Sequence, residues 1–247
     1  MIISLAPTDA VIFKALGQFL QTILPIPAAN LIVSPTSSIE IVRGQNNRVP
    51  IPLGPDFVVM TPLTRPRLAT NIDTYADCFF TASIAGTVMN VSNIGFGLLL
   101  TGATIFGSGV AANTIVTGSL GAGSYSIYPS QNVPSTPMAT GIETILQKSE
   151  IVIQTDVYGP NAHDNAMIIS TLFPDDYAWQ LFGGANSLIT PLYADEVRQM
   201  SLEIGEQQWE IRETIDLHLE INQSVVVAQQ FASVVKINTI SVDATYH

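Results

Sequence analysis

Three side chains near the carboxyl-terminal end, Asp216, His218 and Glu220, stand two residues apart and could together offer one nitrogen and two carboxylates to a divalent metal. Such a centre would suit an acidic hydrolase. Alternation along a strand sets every second residue on one side, however, so a solvated polar face explains the same spacing without a ligand. Gly107-Ser108-Gly109-Val110-Ala111-Ala112 reads G-x-G-x-x-A, the dinucleotide pattern. That pattern needs a helix opening at the loop and an acid about 20 residues further on for the ribose. The first acid after it is Glu143, and turn chemistry is the simpler reading. Asp175-Asp176 and Asp195-Glu196 fall beside helix starts and turns, where acids are expected structurally. The chain has no P-loop lysine, no G-x-S-x-G elbow and no H-E-x-x-H, and only three histidines. Acid–base catalysis is therefore unsupported, and the expectation is a non-enzyme with no cofactor and no metal.

The element that positions these polar residues is the stretch Gln208 to Val227, QWEIRETIDLHLEINQSVVV. Trp209, Ile211, Ile215, Leu217, Leu219 and Ile221 fall on one side. Glu210, Arg212, Thr214, Asp216, His218, Glu220 and Asn222 fall on the other. A period of two predicts one long strand from Trp209 to Asn222 with a buried and a wet face, broken on the apolar side only by Glu213. Thr144 to Tyr158 alternates in the same way, with Lys148, Glu150, Gln154 and Asp156 on its polar side, and is the natural partner of that strand.

Upstream, Thr8 is a good N-cap for an amphipathic helix over Asp9–Leu24, which Pro25 and Pro27 stop. Leu31–Val33, Ile39–Val42 and Phe57–Leu63 are strand candidates. Arg65 and Arg67 flank Pro66 as a local basic pair, either a solvated loop tip or a contact for an acidic partner. Asn161 and Asp175 are expected to cap two further helices, the second stopped by Gly183-Gly184. The order helix, strands, strand, helix, strand predicts an α+β fold, a mixed or antiparallel sheet with helices on one face.

Charge divides the chain. Residues 1–78 hold five basic and five acidic residues, 79–142 none, and 143–247 four basic and fifteen acidic, for a net −11. That balance argues against nonspecific hold on a phosphate backbone. From Phe79 to Ile142 the chain is rich in Gly, Ser, Thr and Ala around short apolar pieces (FFTASIA, TVMNV, FGLLL, ATIF, NTIVT, SYSIY). We expect an inserted small all-β domain at 79–141, within a discontinuous α+β domain made of 1–78 and 142–247. Eight acids between Asp195 and Glu220 stand against only Arg198 and Arg212. Such a face serves solubility, docking to a basic partner, or a repulsive wall past which nucleic acid slides. The single cysteine, Cys78, excludes an internal disulfide and suits folding in a reducing cytoplasm. The amino terminus reads as no signal peptide, and the glycine-broken Val91–Leu120 run reads as no membrane span.

Three blocks, RGQNNRVPIPLGPDFVVMTPL (Arg43 to Leu63), PDDYAWQLFGGANSLITPLYADEVRQM (Pro174 to Met200) and GEQQWEIRETIDLHLEINQSVVVAQQFA (Gly205 to Ala232), resemble the neck or tail terminator proteins of tailed bacteriophages. The resemblance covers most of the chain outside Phe79 to Ile142 and carries no catalytic signature. It implies a structural virion protein, assembled in the host cytoplasm. Its α+β fold would form a homo-oligomeric ring, usually a hexamer, at the head-proximal end of the tail tube. The ring would contact the tail tube protein and the head–tail connector, and sheath or collar proteins beside them. DNA would pass through the lumen without specific binding. On this reading Arg65, Arg67, Arg198, Glu210, Arg212, Asp216, His218 and Glu220 are the interface or lumen candidates. The uncharged insert resembles Gly/Thr-rich β modules of phage structural proteins. It also opens an alternative, a decoration or adhesin-like protein that binds through this insert.

Overall fold

The computed structural model describes residues 4–24, 39–44, 56–200, 202–204 and 208–229. In chain order the elements are β1 (Ser4–Ala6), α1 (Asp9–Ile23), β2 (Glu40–Arg43), β3 (Phe57–Thr64), β4 (Ile72–Gly97), β5 (Thr104–Gly107), β6 (Ile115–Gly121), β7 (Ser124–Tyr158), α2 (Ala162–Leu172), α3 (Asp176–Leu181), β8 (Ile189–Ala194), β9 (Arg198–Gln199), β10 (Leu202–Ile204), β11 (Gln208–Glu210) and β12 (Arg212–Ala228). Strands take 59% of the structure and helices 18%, in three helices and a large mixed sheet. This overturns the α+β expectation: the fold is mainly β. Helical periodicity located three short helices, but β4 and β7, at 26 and 35 residues, run far past the short pieces that announce them. The described residues form two compact units, one from Ser4 and 73–145 with 225–229, the other from 5–72 with 146–224.

In the second unit, β2 pairs parallel with β3, and β3 antiparallel with β7 from Phe57↔Tyr158 to Thr64↔Val152. β12 neighbours β7, as the shared alternation predicts, and β8 and β9 both pair antiparallel with β12. The helix α1 starts where Thr8 leaves extended geometry, its carbonyl accepting from the amides of Val11 and Ile12. It ends at Ile23, with Leu24 extended (ψ 132°), the geometry that the following proline imposes. Ile12, Phe13, Leu16, Phe19 and Leu20 line its buried stripe, and they share one core with Ile169 and Phe173, Val58, Ile151 and Ile153, and Ile215, Leu217, Leu219 and Ile221. Each fully buried Leu or Ile there contributes about 1.5–3 kcal/mol through lost apolar exposure.

The caps divide. Asp175 accepts from the Tyr177 amide at 2.9 Å, as its position before α3 predicts. Asn161 does not cap α2: its side-chain amide donates to Asp56 Oδ2 (2.9 Å) and its backbone amide to Asp56 Oδ1 (3.0 Å), so a carboxylate remote in sequence serves the start of this helix. The single strand expected over Trp209–Asn222 is also corrected. It breaks at Ile211, which is 44% exposed and whose carbonyl accepts from the Gly159 amide. β11 pairs with β10, and β12 runs on to Ala228. The Leu31–Val33 candidate lies outside the described residues.

In the first unit, β4 doubles back on itself. Ser92 Oγ donates to the Thr81 carbonyl, Phe79 and Phe96 lie 6.3 Å apart, and the turn passes through Gly86 at φ 66°. A straight strand cannot bring such residues together. At its end Gly97 (φ +78°) lies so close to Asp77 that a Cβ would stand 1.8 Å from that carbonyl oxygen. The FGLLL piece consequently leaves the strand at Leu98, and Leu99 turns inward. β5 and β6 pair with each other, and both pair antiparallel with the 124–141 part of β7. Cys78, Phe80, Ala82 and Ile84 alternate into a core completed by Met89, Ile105, Val116, Ile127, Val133 and Met138.

Candidate functional site

The polar side of β12 is a ladder of charge pairs. At its start Arg212 reaches Asp156 of β7 at 2.8 Å, with its guanidinium carbon 5.7 Å from the centre of the Tyr158 ring. Asp156 is 4% exposed and also accepts from Thr214 Oγ1 (2.8 Å) and Gln154 Nε2 (3.0 Å). A buried carboxylate with this many donors keeps its charge compensated. Two rungs on, Asp216 pairs with Arg198 at 2.6 Å, where β9 lies against β12. His218 Nδ1 contacts Glu150 of β7, its Nε2 stands 3.5 Å from Asp195, and Tyr193 of β8 stacks on the ring at 4.1 Å. Partial desolvation, then the Glu150 and Asp195 carboxylates, push the Tyr193 phenol above its ordinary range. Glu220 stands 4.0 Å from Lys148. On the opposite, apolar side Glu213 is buried and faces His163 at 3.6 Å.

This geometry redistributes the residues singled out from sequence. Asp216, His218 and Glu220 share a face, but each is engaged by a different partner. Among the described residues no group of three metal-ligating side chains is placed to hold an ion. Arg198 and Arg212, read from sequence as interface candidates, are each occupied by a carboxylate of the same chain. Arg65 pairs with Asp9 of α1 at 2.7 Å and so is no bare loop-tip cation. Its guanidinium, followed by that of Arg43, holds the Asp9 carboxyl below the usual range. Arg67 bonds Asn71, and its backbone bridges to Ser149 of β7. Glu210 lies in β11 opposite Leu202.

Sequence reasoning placed Lys148, Glu150, Gln154 and Asp156 on the polar side of β7, which was the available signal for the partners of β12. It missed Tyr193 and Asp56, because nothing local marks an aromatic ring that stacks on His218 or an acid that serves a helix remote in sequence.

The G-x-G-x-x-A stretch behaves as turn chemistry. β5 ends at Gly107, the Val110 amide returns to the Gly107 carbonyl at 3.2 Å, and no helix opens. It borders a groove of about 760 Å³ in the first unit. No helix of the described residues is long and apolar enough to cross a membrane.

Comparison with known proteins adds one independent finding. Residues 114–247, more than half of the chain, match the family described as phage neck terminator protein. The matched span takes in 114–142 of the uncharged stretch and leaves out Arg43 to Leu63, one of the three blocks on which the resemblance rests. No curated protein matches the chain.

Proposed function

The chain belongs to the phage neck terminator protein family, a structural component of the virion neck, and from that premise we propose that it closes the head-proximal end of the tail tube as a homo-oligomeric ring of six copies. The ring joins the tube to the head connector, contacts the tail tube protein, and lies next to sheath or collar proteins. It is assembled in the host cytoplasm and carries no catalytic centre. The family match over 114–247 carries this reading.

The charge arrangement supports it. Between Asp195 and Glu220 both arginines are neutralised by carboxylates, while Asp195 and Glu196 are exposed. A surface of that kind repels a phosphate backbone, so DNA passes the ring without being held. Closed cyclic symmetry is the expected solution for a cap on a tube, because a heterologous interface that closes leaves no free end to propagate.

Phage particles made without this chain test the proposal. The expected result is tail tubes of uncontrolled length and heads without tails, both restored by supplying the chain. Normal joined particles in its absence would contradict a terminator role.

A further inference from the structure

We propose, on the premise of the ring put forward above, that its subunits meet head to tail. The exposed face of α3 on one copy seats against a basic face built by α1, β2 and the end of β3 on the next. α3 has only six residues, yet Tyr177, Trp179 and Leu181 are 39–45% exposed, while Ala178 and the capping residue Phe182 are buried in the core. Tyr177 and Leu181, four residues apart, form one flank. Trp179 forms the other and lies over Gly184, where a Cβ would stand 3.4 Å from its ring. Three large apolar side chains at the surface of so short a helix mark a contact surface, and Tyr and Trp are the types that anchor one.

Charge selects the occupant. Asp164, Asp175 and Asp176, all exposed, accompany this face, and from Glu150 to Val197 the chain has no lysine or arginine. The donors that reach Asp175 and Asp176, the Tyr177 amide and Gln180, are neutral and cancel no charge. The complement is on the same chain. Lys14, Arg43 and Arg65 stand against Asp9 and Glu40, which leaves a net positive cluster. Its guanidinium groups are preset, with Arg43 over the Phe13 ring at 4.2 Å and Arg65 tied to Asp9 at 2.7 Å. Val11, three residues before Lys14, and Leu63, two before Arg65, add exposed apolar surface. Guanidinium and aliphatic groups suit tyrosine and tryptophan rings. Two α3 faces together would set acid against acid, and two basic faces cation against cation, so each face selects the other.

Position within the sheet permits closure. In this unit β8, β12, β7, β3 and β2 follow one another. α3 packs beside β8 at one edge, and the basic cluster lies at the other, about 20 Å away at the usual strand spacing. Two different complementary patches at opposite edges make a heterologous contact, the kind that closes cyclic rings. A single self-complementary patch would stop at a dimer.

The test is the mass in solution of the full chain, wild type against Tyr177→Lys with Leu181→Lys and against Val11→Asp with Lys14→Glu, alone and mixed. Every changed side chain is exposed, so melting temperatures should be unchanged. The expected result is that each variant alone needs at least about tenfold higher concentration to form rings. An equal mixture should give pairs, one copy of each kind, that do not extend, because only one intact contact remains. Should a variant misfold, wild type answers the question: carbodiimide coupling of mixed light and heavy-isotope chains should join Lys14 of one copy to Asp164 or Asp176 of another. The contact is overturned if both folded variants still close rings, if only the α3 variant loses them, if the mixture stays unpaired, or if coupling in wild-type rings joins Lys14 elsewhere. A wild type that closes no ring, free or on tube ends, overturns the ring itself and this contact with it.

Discussion

Each of the two compact units builds its own apolar core, and the two stabilise their polar surfaces by different chemistry. In the 5–72 and 146–224 unit, charge pairs such as Arg212–Asp156, Arg198–Asp216 and Arg65–Asp9 stitch strand to strand and loop to helix. In the 73–145 unit, neutral groups do so: Ser124 donates to Asn90 (2.8 Å), Thr117 to Ser126 (2.9 Å) and Gln131 to Thr114. Neutral hydrogen bonds are worth about 0.5–1.5 kcal/mol net and are insensitive to salt and to moderate pH, whereas ion pairs respond to both. The contrast teaches that apolar burial sets stability in each unit and polar chemistry sets its response to the medium.

The two units should agree in what it costs to empty their cores. Leu217→Ala and Met89→Ala remove fully buried side chains, one from each core, and each should cost about 2–5 kcal/mol. Denaturant unfolding monitored by hydrogen exchange should show lost protection around β12 in the first variant and around β4 in the second. A cost below about 1 kcal/mol for either would show that its core is not the source of stability.

A smaller effect separates the units. Asp156→Ala strands Arg212 and Thr214 without their carboxylate and should cost about 3 kcal/mol, while Ser124→Ala, which removes an exposed hydroxyl-to-amide hydrogen bond to Asn90, should cost at most about 1 kcal/mol. Equal costs would erase the distinction.

The smallest effect is on acid response. Asp9 is held below its ordinary value of 3.8, chiefly by Arg65. Its contribution is therefore present above that value and lost as pH falls through the lower folded one. Both side chains are more than a third exposed, which limits the contribution to at most about 1 kcal/mol. Asp9→Asn should flatten this part of the acid limb of the stability curve. An unaltered acid limb would remove Asp9 from the account.

Legibility in the sequence followed the range of the interactions. α1 and α3 were readable because their apolar spacing, Asp175 and the stopping residues are local, although Thr8 holds the N-cap position of α1 without a side-chain hydrogen bond. The polar sides of β7 and β12 were readable from alternation. The break at Ile211 was not, because a hydrogen bond from Gly159 sets it. Nor was the service of α2 by Asp56, or the stacking of Tyr193 on His218. The change of composition at Phe79 and at Ile142 falls inside β4 and β7, since a backbone ladder continues through a change of side-chain type. The metal-like spacing of Asp216, His218 and Glu220 came from strand geometry, and their partners lie on Arg198, Glu150 and Lys148.

The most direct measurement is electron microscopy of purified tails carrying this chain, with the mass of the isolated protein determined in solution. The account predicts a closed ring of about six copies confined to the head-proximal end of the tube. A monomer that leaves tube ends bare, or density for this chain along the tail or on the capsid surface, would contradict it.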